Sequence, residues 1–151
     1  MRLEGSCHCG AVRFALEAPE PVPYQRCYCG ICRKTAGAGG FAVNIGARTQ
    51  GMDVEGREDV ATYASSEGTE RAFCRRCGSA LWLFSRQWPD LIHPHASAID
   101  TELPAPAERT HMMLGSRAAW AVPQVEAGDA TFEAYPEESL AEWHARTGAT
   151  A

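Results

Sequence analysis

Apolar and polar residues alternate along this chain in short bursts, and each burst reads as a strand rather than a helix. Val12, Phe14 and Leu16 alternate with small or charged neighbours across 11–16, which predicts a half-buried strand. Phe41, Val43 and Ile45 repeat the pattern and predict a second strand that stops near Gly46. The run Arg71-Ala72-Phe73-Cys74 predicts a strand ending in a Cys-x-x-Cys turn, and 80–84 is a compact apolar strand. Residues 91–99 predict another, interrupted by Pro94, which points to an edge or a bulge. His111 to Leu114 completes the set as a short strand.

The segments between are of a different kind. Residues 17–23 carry three prolines and read as an irregular connection, 102–107 as a loop, and 35–40 as too glycine-rich for a stable helix. Residues 47–69 read as turns and short strands punctuated by Gly51, Gly56 and Gly68, with Val60 and Tyr63 as core contacts. A helical pattern is convincing only near the end, over about 136–146, where Pro136 and acids lead into Leu140 and Trp143 on one face. The expected fold is therefore mainly β, built of several short strands with a short C-terminal helix.

Length and composition narrow the class. At 151 residues and 45% hydrophobic content the chain suits one domain over 1–151, able to bury a core without covalent help. The apolar runs are short and the N-terminus lacks the pattern of a signal peptide, so a soluble cytoplasmic protein with no membrane partner is expected. The net charge of −5 disfavours nucleic acid. Its distribution is uneven, because Arg26, Arg33, Lys34, Arg71, Arg75 and Arg76 all stand beside cysteines while 121–151 holds Arg146 as its one Lys or Arg. Basic neighbours lower thiol pKa values, offset the charge of a metal thiolate cluster, and suit an anionic substrate.

Seven cysteines change the picture most: Cys7, Cys9, Cys27, Cys29, Cys32, Cys74 and Cys77. An odd number, in close pairs and without an export signal, argues against a disulfide framework and for metal. Their spacing matches neither common iron–sulfur run of four, and no βαβ context surrounds the Cys-x-x-Cys pair to make it a redox motif. Four thiolates close a zinc tetrahedron, so Cys7 and Cys9 group with Cys74 and Cys77 as a structural zinc site tying distant parts of the chain together. Cys27, Cys29 and Cys32 then hold a second zinc with an open or exchangeable place, which is the arrangement of a catalytic metal. Gly78, directly after Cys77, suits a turn with a positive φ.

The arrays Gly5-x-Cys7-x-Cys9-Gly10, Cys27-x-Cys29-x-x-Cys32-Arg33 and Arg71-x-Phe73-Cys74-x-x-Cys77-Gly78-Ser79 resemble those of the glutathione-dependent formaldehyde-activating enzyme family, related to centromere protein V. The resemblance covers about 3–120, with weaker echoes at Ile99-Asp100, His111 and Ala119-Trp120. It implies an Mss4-like fold of several short coiled β-sheets built around zinc. It also implies a structural zinc on Cys7, Cys9, Cys74 and Cys77, a catalytic zinc on Cys27, Cys29 and Cys32, and a carbon–sulfur lyase or ligase reaction. The substrate so implied is a thiol–aldehyde adduct such as S-(hydroxymethyl)glutathione, with Arg26, Arg33 and Lys34 as candidates for its carboxylates. Tyr28 stands where the family usually has histidine, and on an extended segment it points away from the metal. The competing expectation is a binding module with two structural zinc ions, which a histidine (His8, His93, His95 or His111) completing the trio's coordination would favour.

Overall fold

A computed structural model describes residues 1–149 and divides them into two compact units, each made of two stretches of chain. The first comprises Met1–Ala18 and Asn44–Leu103, the second Pro19–Val43 and the residues from Pro104 onward. Strands dominate the first unit, and the second combines a small sheet with two helices, giving three small sheets in all.

The first unit holds two of the sheets. Strands β1 (Arg2–Ser6), β2 (Arg13–Glu17) and β6 (Asp53–Glu55) form an antiparallel sheet in the order β1-β2-β6, with Leu3 opposite Leu16 and Gly5 opposite Phe14. The expected alternation is present in β2, where Phe14 and Leu16 face the core and Arg13 and Glu17 face solvent. A five-stranded antiparallel sheet runs β5 (Ala47–Arg48), β10 (Leu91–Pro94), β9 (Ala80–Ser85), β8 (Thr69–Cys74), β7 (Val60–Ser66). Their shared core contains Leu3, Val12, Leu16, Ile45 and Leu81, all essentially inaccessible, with the Phe14 and Trp82 rings edge to face at 5.3 Å. Such rings contribute about 1 kcal/mol beyond the area they bury.

Two expectations fail here for reasons of sheet position. Tyr63 is 56% exposed, because β7 is an edge strand that presents most of its residues to solvent, whereas Val60 does pack against the core. Strand β10 is not an edge, since β5 and β9 flank it. Pro94 is tolerated as its last residue, after which the chain turns into a 3-10 segment over Ala96–Ala98.

The second unit is built on a sheet ordered β12 (Ala130–Thr131), β11 (Arg109–Met112), β3 (Tyr24–Cys27), β4 (Ala42–Asn44). Here β11 is parallel to both neighbours, placing His111 opposite Arg26 and Met112 opposite Cys27. Helix α1 (Gly30–Ala36) follows β3; the sequence reading does not anticipate it, and it overlaps the segment 35–40 expected to be non-helical only at Thr35 and Ala36. Its entry is capped by the Cys29 sulfur, which accepts from the Cys32 N–H, and 31–36 contains no glycine to oppose it. It stops at Gly37, where a Cβ would lie 2.4 Å from the Phe41 carbonyl oxygen. The C-terminal helix α2 spans Leu140–Thr147, starting later than expected because Ser139 and Glu142 form a capping box that sets the first turn beyond Pro136. Cavity volume of about 150 Å³ lies among residues such as Gln25, Thr110, Phe132 and Trp143.

Candidate metal centres

Each unit carries one cluster of sulfurs. In the first unit, Cys7, Cys9, Cys74 and Cys77 bring four sulfurs within 4.8 Å of one another. Two turns of similar construction deliver them. In one, the Cys7 N–H donates to the Val12 carbonyl and the Gly10 N–H to the Cys7 carbonyl; in the other, Cys74 donates to Ser79 and Gly78 to Cys74. Both turns pass through a left-handed glycine, Gly10 at φ +75° and Gly78 at φ +77°, a conformation that costs a residue with a Cβ about 1–2 kcal/mol.

The sulfur spacing tests whether a metal fits. Thiolates on a tetrahedron with bonds of about 2.3 Å stand about 3.8 Å apart. Cys7 and Cys9 are 3.5 Å apart, and Cys9 and Cys74 are 3.8 Å apart. Donors aimed at the sulfurs favour thiolate: the Val12 N–H points at the Cys7 sulfur at 3.3 Å. The Ser79 hydroxyl, 3.2 Å from Cys77, leads the interactions that lower that thiol to about 5. The Arg76 cation is engaged elsewhere, in a 2.7 Å pair with the buried Asp59.

The second unit's cluster is Cys27, Cys29 and Cys32, with three sulfurs within 4.8 Å. Strand β3 delivers Cys27, the capping position of α1 delivers Cys29, and the first turn of the helix delivers Cys32. Among the described residues no fourth histidine, cysteine or carboxylate joins the group. Without a cation the three sulfurs cannot ionise together. Sharing of protons with Cys27 and Cys32, aided by backbone N–H donors, pulls Cys29 down to about 2, while Cys27 is driven far up by Cys29, by Cys32 and by burial. A divalent ion between them removes that conflict, so this donor set also fits a metal.

The histidines considered above all lie outside both clusters. His8 is exposed and its backbone N–H donates to Ser79 Oγ. His95 pairs its Nδ1 with Asn44 Oδ1 at 2.9 Å, and burial holds it down near 4. His93 is lowered to about 4 by burial as well. Of the cationic candidates, Arg26 lies over the Phe41 ring at 5.0 Å, Arg33 is half-buried on α1, and Lys34 is exposed.

Sequence reasoning missed a hydrogen-bonded chain beside the trio. Tyr28, 1% exposed, places its hydroxyl 3.1 Å from His111 Nδ1, and His111 Nε2 lies 3.1 Å from Asp129 Oδ2. Burial opposes the Asp129 charge, but the Glu126 N–H, the His111 ring, and the Arg109 N–H and guanidinium outweigh it and hold the carboxyl near 2. The Tyr28 hydroxyl turns to His111; the weak echo at His111 was the one signal for its partner, and Asp129 had none.

Several short sheets, two antiparallel and one with parallel pairing, carrying two thiol clusters able to hold metal ions define an Mss4-like protein. The chain belongs to the glutathione-dependent formaldehyde-activating enzyme family, whose profile matches residues 2–115. It is 52% identical to a Halomonas elongata protein described as "Putative glutathione-dependent formaldehyde-activating enzyme", over 98% of each chain. It is also 35% identical, over 79 residues, to an uncharacterized lyase of Schizosaccharomyces pombe, covering 52% of this chain and 55% of that one. Among solved structures, a crystal structure of a Rhodobacter sphaeroides protein superposes with a TM-score of 0.57 at 27% identity, covering 70% of this chain and 98% of the other.

Proposed function

We propose that this protein is a zinc-dependent carbon–sulfur lyase or ligase that makes and breaks thiol–aldehyde adducts, S-(hydroxymethyl)glutathione being the best fit to the family. The observation that carries the reading is the difference in donor count, four sulfurs in one cluster and three in the other. On this reading Cys7, Cys9, Cys74 and Cys77 hold a structural zinc, and Cys27, Cys29 and Cys32 hold a catalytic, exchangeable one. When bound at the trio, zinc supplies Lewis acidity toward a carbonyl or alkoxy oxygen and stabilises a thiol sulfur as thiolate.

The reaction balances without an external oxidant. In cleavage, the carbon–sulfur bond breaks with its electron pair on sulfur, the adduct's hydroxyl loses its proton as the carbonyl forms, and that proton ends on the released thiol. Ligation is the reverse. The chain's part is to hold three thiolates in place and to bind the anionic ends of the thiol. Arg26, Arg33 and Lys34 are the groups for that second task. Arg33 supports it most directly, because its Nε is buried with no hydrogen-bond partner. A cytoplasmic setting belongs to the same reading, since seven thiols need a reducing compartment.

Exchange spectroscopy on a mixture of formaldehyde, glutathione and their adduct tests it. Added protein is expected to broaden the exchanging signals beyond the buffer rate. Rates equal to buffer at every protein concentration would remove glutathione as the thiol.

A further inference from the structure

The second unit contains a buried hydrogen-bonded chain that links the residue between two of the trio's cysteines to a carboxylate beyond the family-matched span. Tyr28, His111 and Asp129 are each essentially inaccessible, with 1% exposure for Tyr28, 0% for the His111 side chain and 1% for the Asp129 side chain. Asp129 lies after residue 115, where the match to the family ends. Three donors fix it: the Arg109 N–H on Oδ1 at 3.0 Å, the Glu126 N–H on Oδ2 at 3.0 Å, and His111 Nε2 on Oδ2 at 3.1 Å. A carboxylate is an acceptor only, so Nε2 carries the hydrogen and donates. In the neutral ring, Nδ1 then accepts from the Tyr28 O–H at 3.1 Å. Ring packing continues the line, with Tyr28 stacked on His111 at 5.9 Å and tilted on Phe41 at 5.1 Å.

Tyr28 occupies a mechanically sensitive place. Cys27 ends β3, Tyr28 donates its N–H to the Met112 carbonyl, and Cys29 is extended at φ −62°, ψ 157°. Side chains alternate along an extended segment, so anchoring Tyr28 on one side aims Cys27 and Cys29 to the other. A hydroxyl tied to a fixed imidazole sets the rotation of that segment about its own axis, and with it the aim of two of the three sulfurs. No comparable buried side chain separates Cys7 from Cys9, because His8 between them is exposed.

We propose that Asp129, His111 and Tyr28 form a positioning relay for the Cys27–Cys29–Cys32 site, through which the segment following the family-matched region controls how firmly that site is held. The proposal rests on the functional reading only in treating the trio as a metal site. Outer-layer groups of this kind alter metal hold by about 10–100-fold.

The test is peptide-resolved alkylation of the zinc-loaded protein, comparing wild type with Asp129→Asn, His111→Phe and Tyr28→Phe. The relay predicts labelling of Cys27, Cys29 and Cys32 about tenfold faster in all three variants, with Cys7, Cys9, Cys74 and Cys77 unchanged as an internal control. Tyr28→Phe is the deciding variant, because it keeps the ring packing and removes only the hydroxyl. Trio labelling at the wild-type rate in Tyr28→Phe overturns the relay, as does equal acceleration at all seven cysteines, which would mean general loosening. Adduct turnover, measured on the same wild-type sample, separates this from the functional reading. Wild type that is inert on adducts while the variants label as expected sinks the proposed reaction alone. Active wild type with unaltered variant labelling sinks the relay alone.

Discussion

The two sulfur clusters use the same side chain for opposite ends. The quartet draws one pair from each of two turns 65 residues apart in sequence, so its closure is also the closure of a fold. The trio comes from six consecutive residues, spans a strand end and a helix start, and closes no distant part of the chain. On the proposed two-zinc reading, loss of metal from the quartet would remove a cross-link, while loss from the trio would remove a local clasp. Sequence distance between the cysteines is what separates the two clusters: 65 residues bridge the quartet's two pairs, while the trio is local.

The sharpest break of this comparison is Cys74→Ser against Cys29→Ser. Cys74→Ser is expected to cost about 4 kcal/mol or more of stability, roughly 10 °C in Tm for a chain of this size, read by calorimetry. Cys29→Ser should leave Tm within a few degrees and lower adduct turnover by about 100-fold or more, read by exchange spectroscopy. Equal losses of Tm in the two variants would erase the distinction. A chelator titration followed by zinc analysis sharpens it further, with one equivalent released early and with it the turnover, and the second released only as circular dichroism reports unfolding.

Two glycines test the frames around the clusters at a smaller scale. Gly40, at φ +95°, has no room for a side chain, since a Cβ there would sit 2.5 Å from the Ala121 Cβ. Gly40→Ala should cost about 2–3 kcal/mol in a denaturant titration, from overpacking and backbone strain together. Gly78 has open space around its Cβ position, so Gly78→Ala carries strain alone, about 1 kcal/mol. The reverse order would show that the quartet's turn is the tighter frame.

The smallest effect concerns acid. Asp129 is held near 2 against an ordinary value of 3.8, so its charge stabilises the folded state above about pH 4, and the contribution disappears as pH falls through 2. The Tm difference between wild type and Asp129→Asn is expected to be constant above pH 4 and to close between pH 4 and 2. A difference that persists to pH 2 would mean that the carboxylate acts through shape rather than charge.

The seven cysteines and the strands of the first unit were readable from the chain because their signals are local. Val12-Arg13-Phe14-Ala15-Leu16 and Ala80 to Phe84 show their periodicity within a few residues, and Gly10 and Gly78 stand beside the ligands they serve. What escaped depends on an unusual local cap, on strand position in a sheet, or on partners far away. Helix α1 forms because a sulfur caps it, a role that no propensity scale gives to cysteine. Tyr63 looked like core because it is aromatic, and is exposed because its strand has a neighbour on one side only. Asp129 has no local mark at all; its importance exists only once β12 lies parallel to β11 and brings it to His111.

Each unit is assembled from two pieces of chain, and this sets a timetable at the ribosome. Cys7 and Cys9 emerge early, yet the sulfurs that complete their cluster lie 65 residues further on. At about 5–20 residues per second, those first thiols wait roughly 3–13 seconds for company. The Cys27–Cys32 set leaves the tunnel whole during that interval, so on the proposed reading its site would be complete before the quartet's.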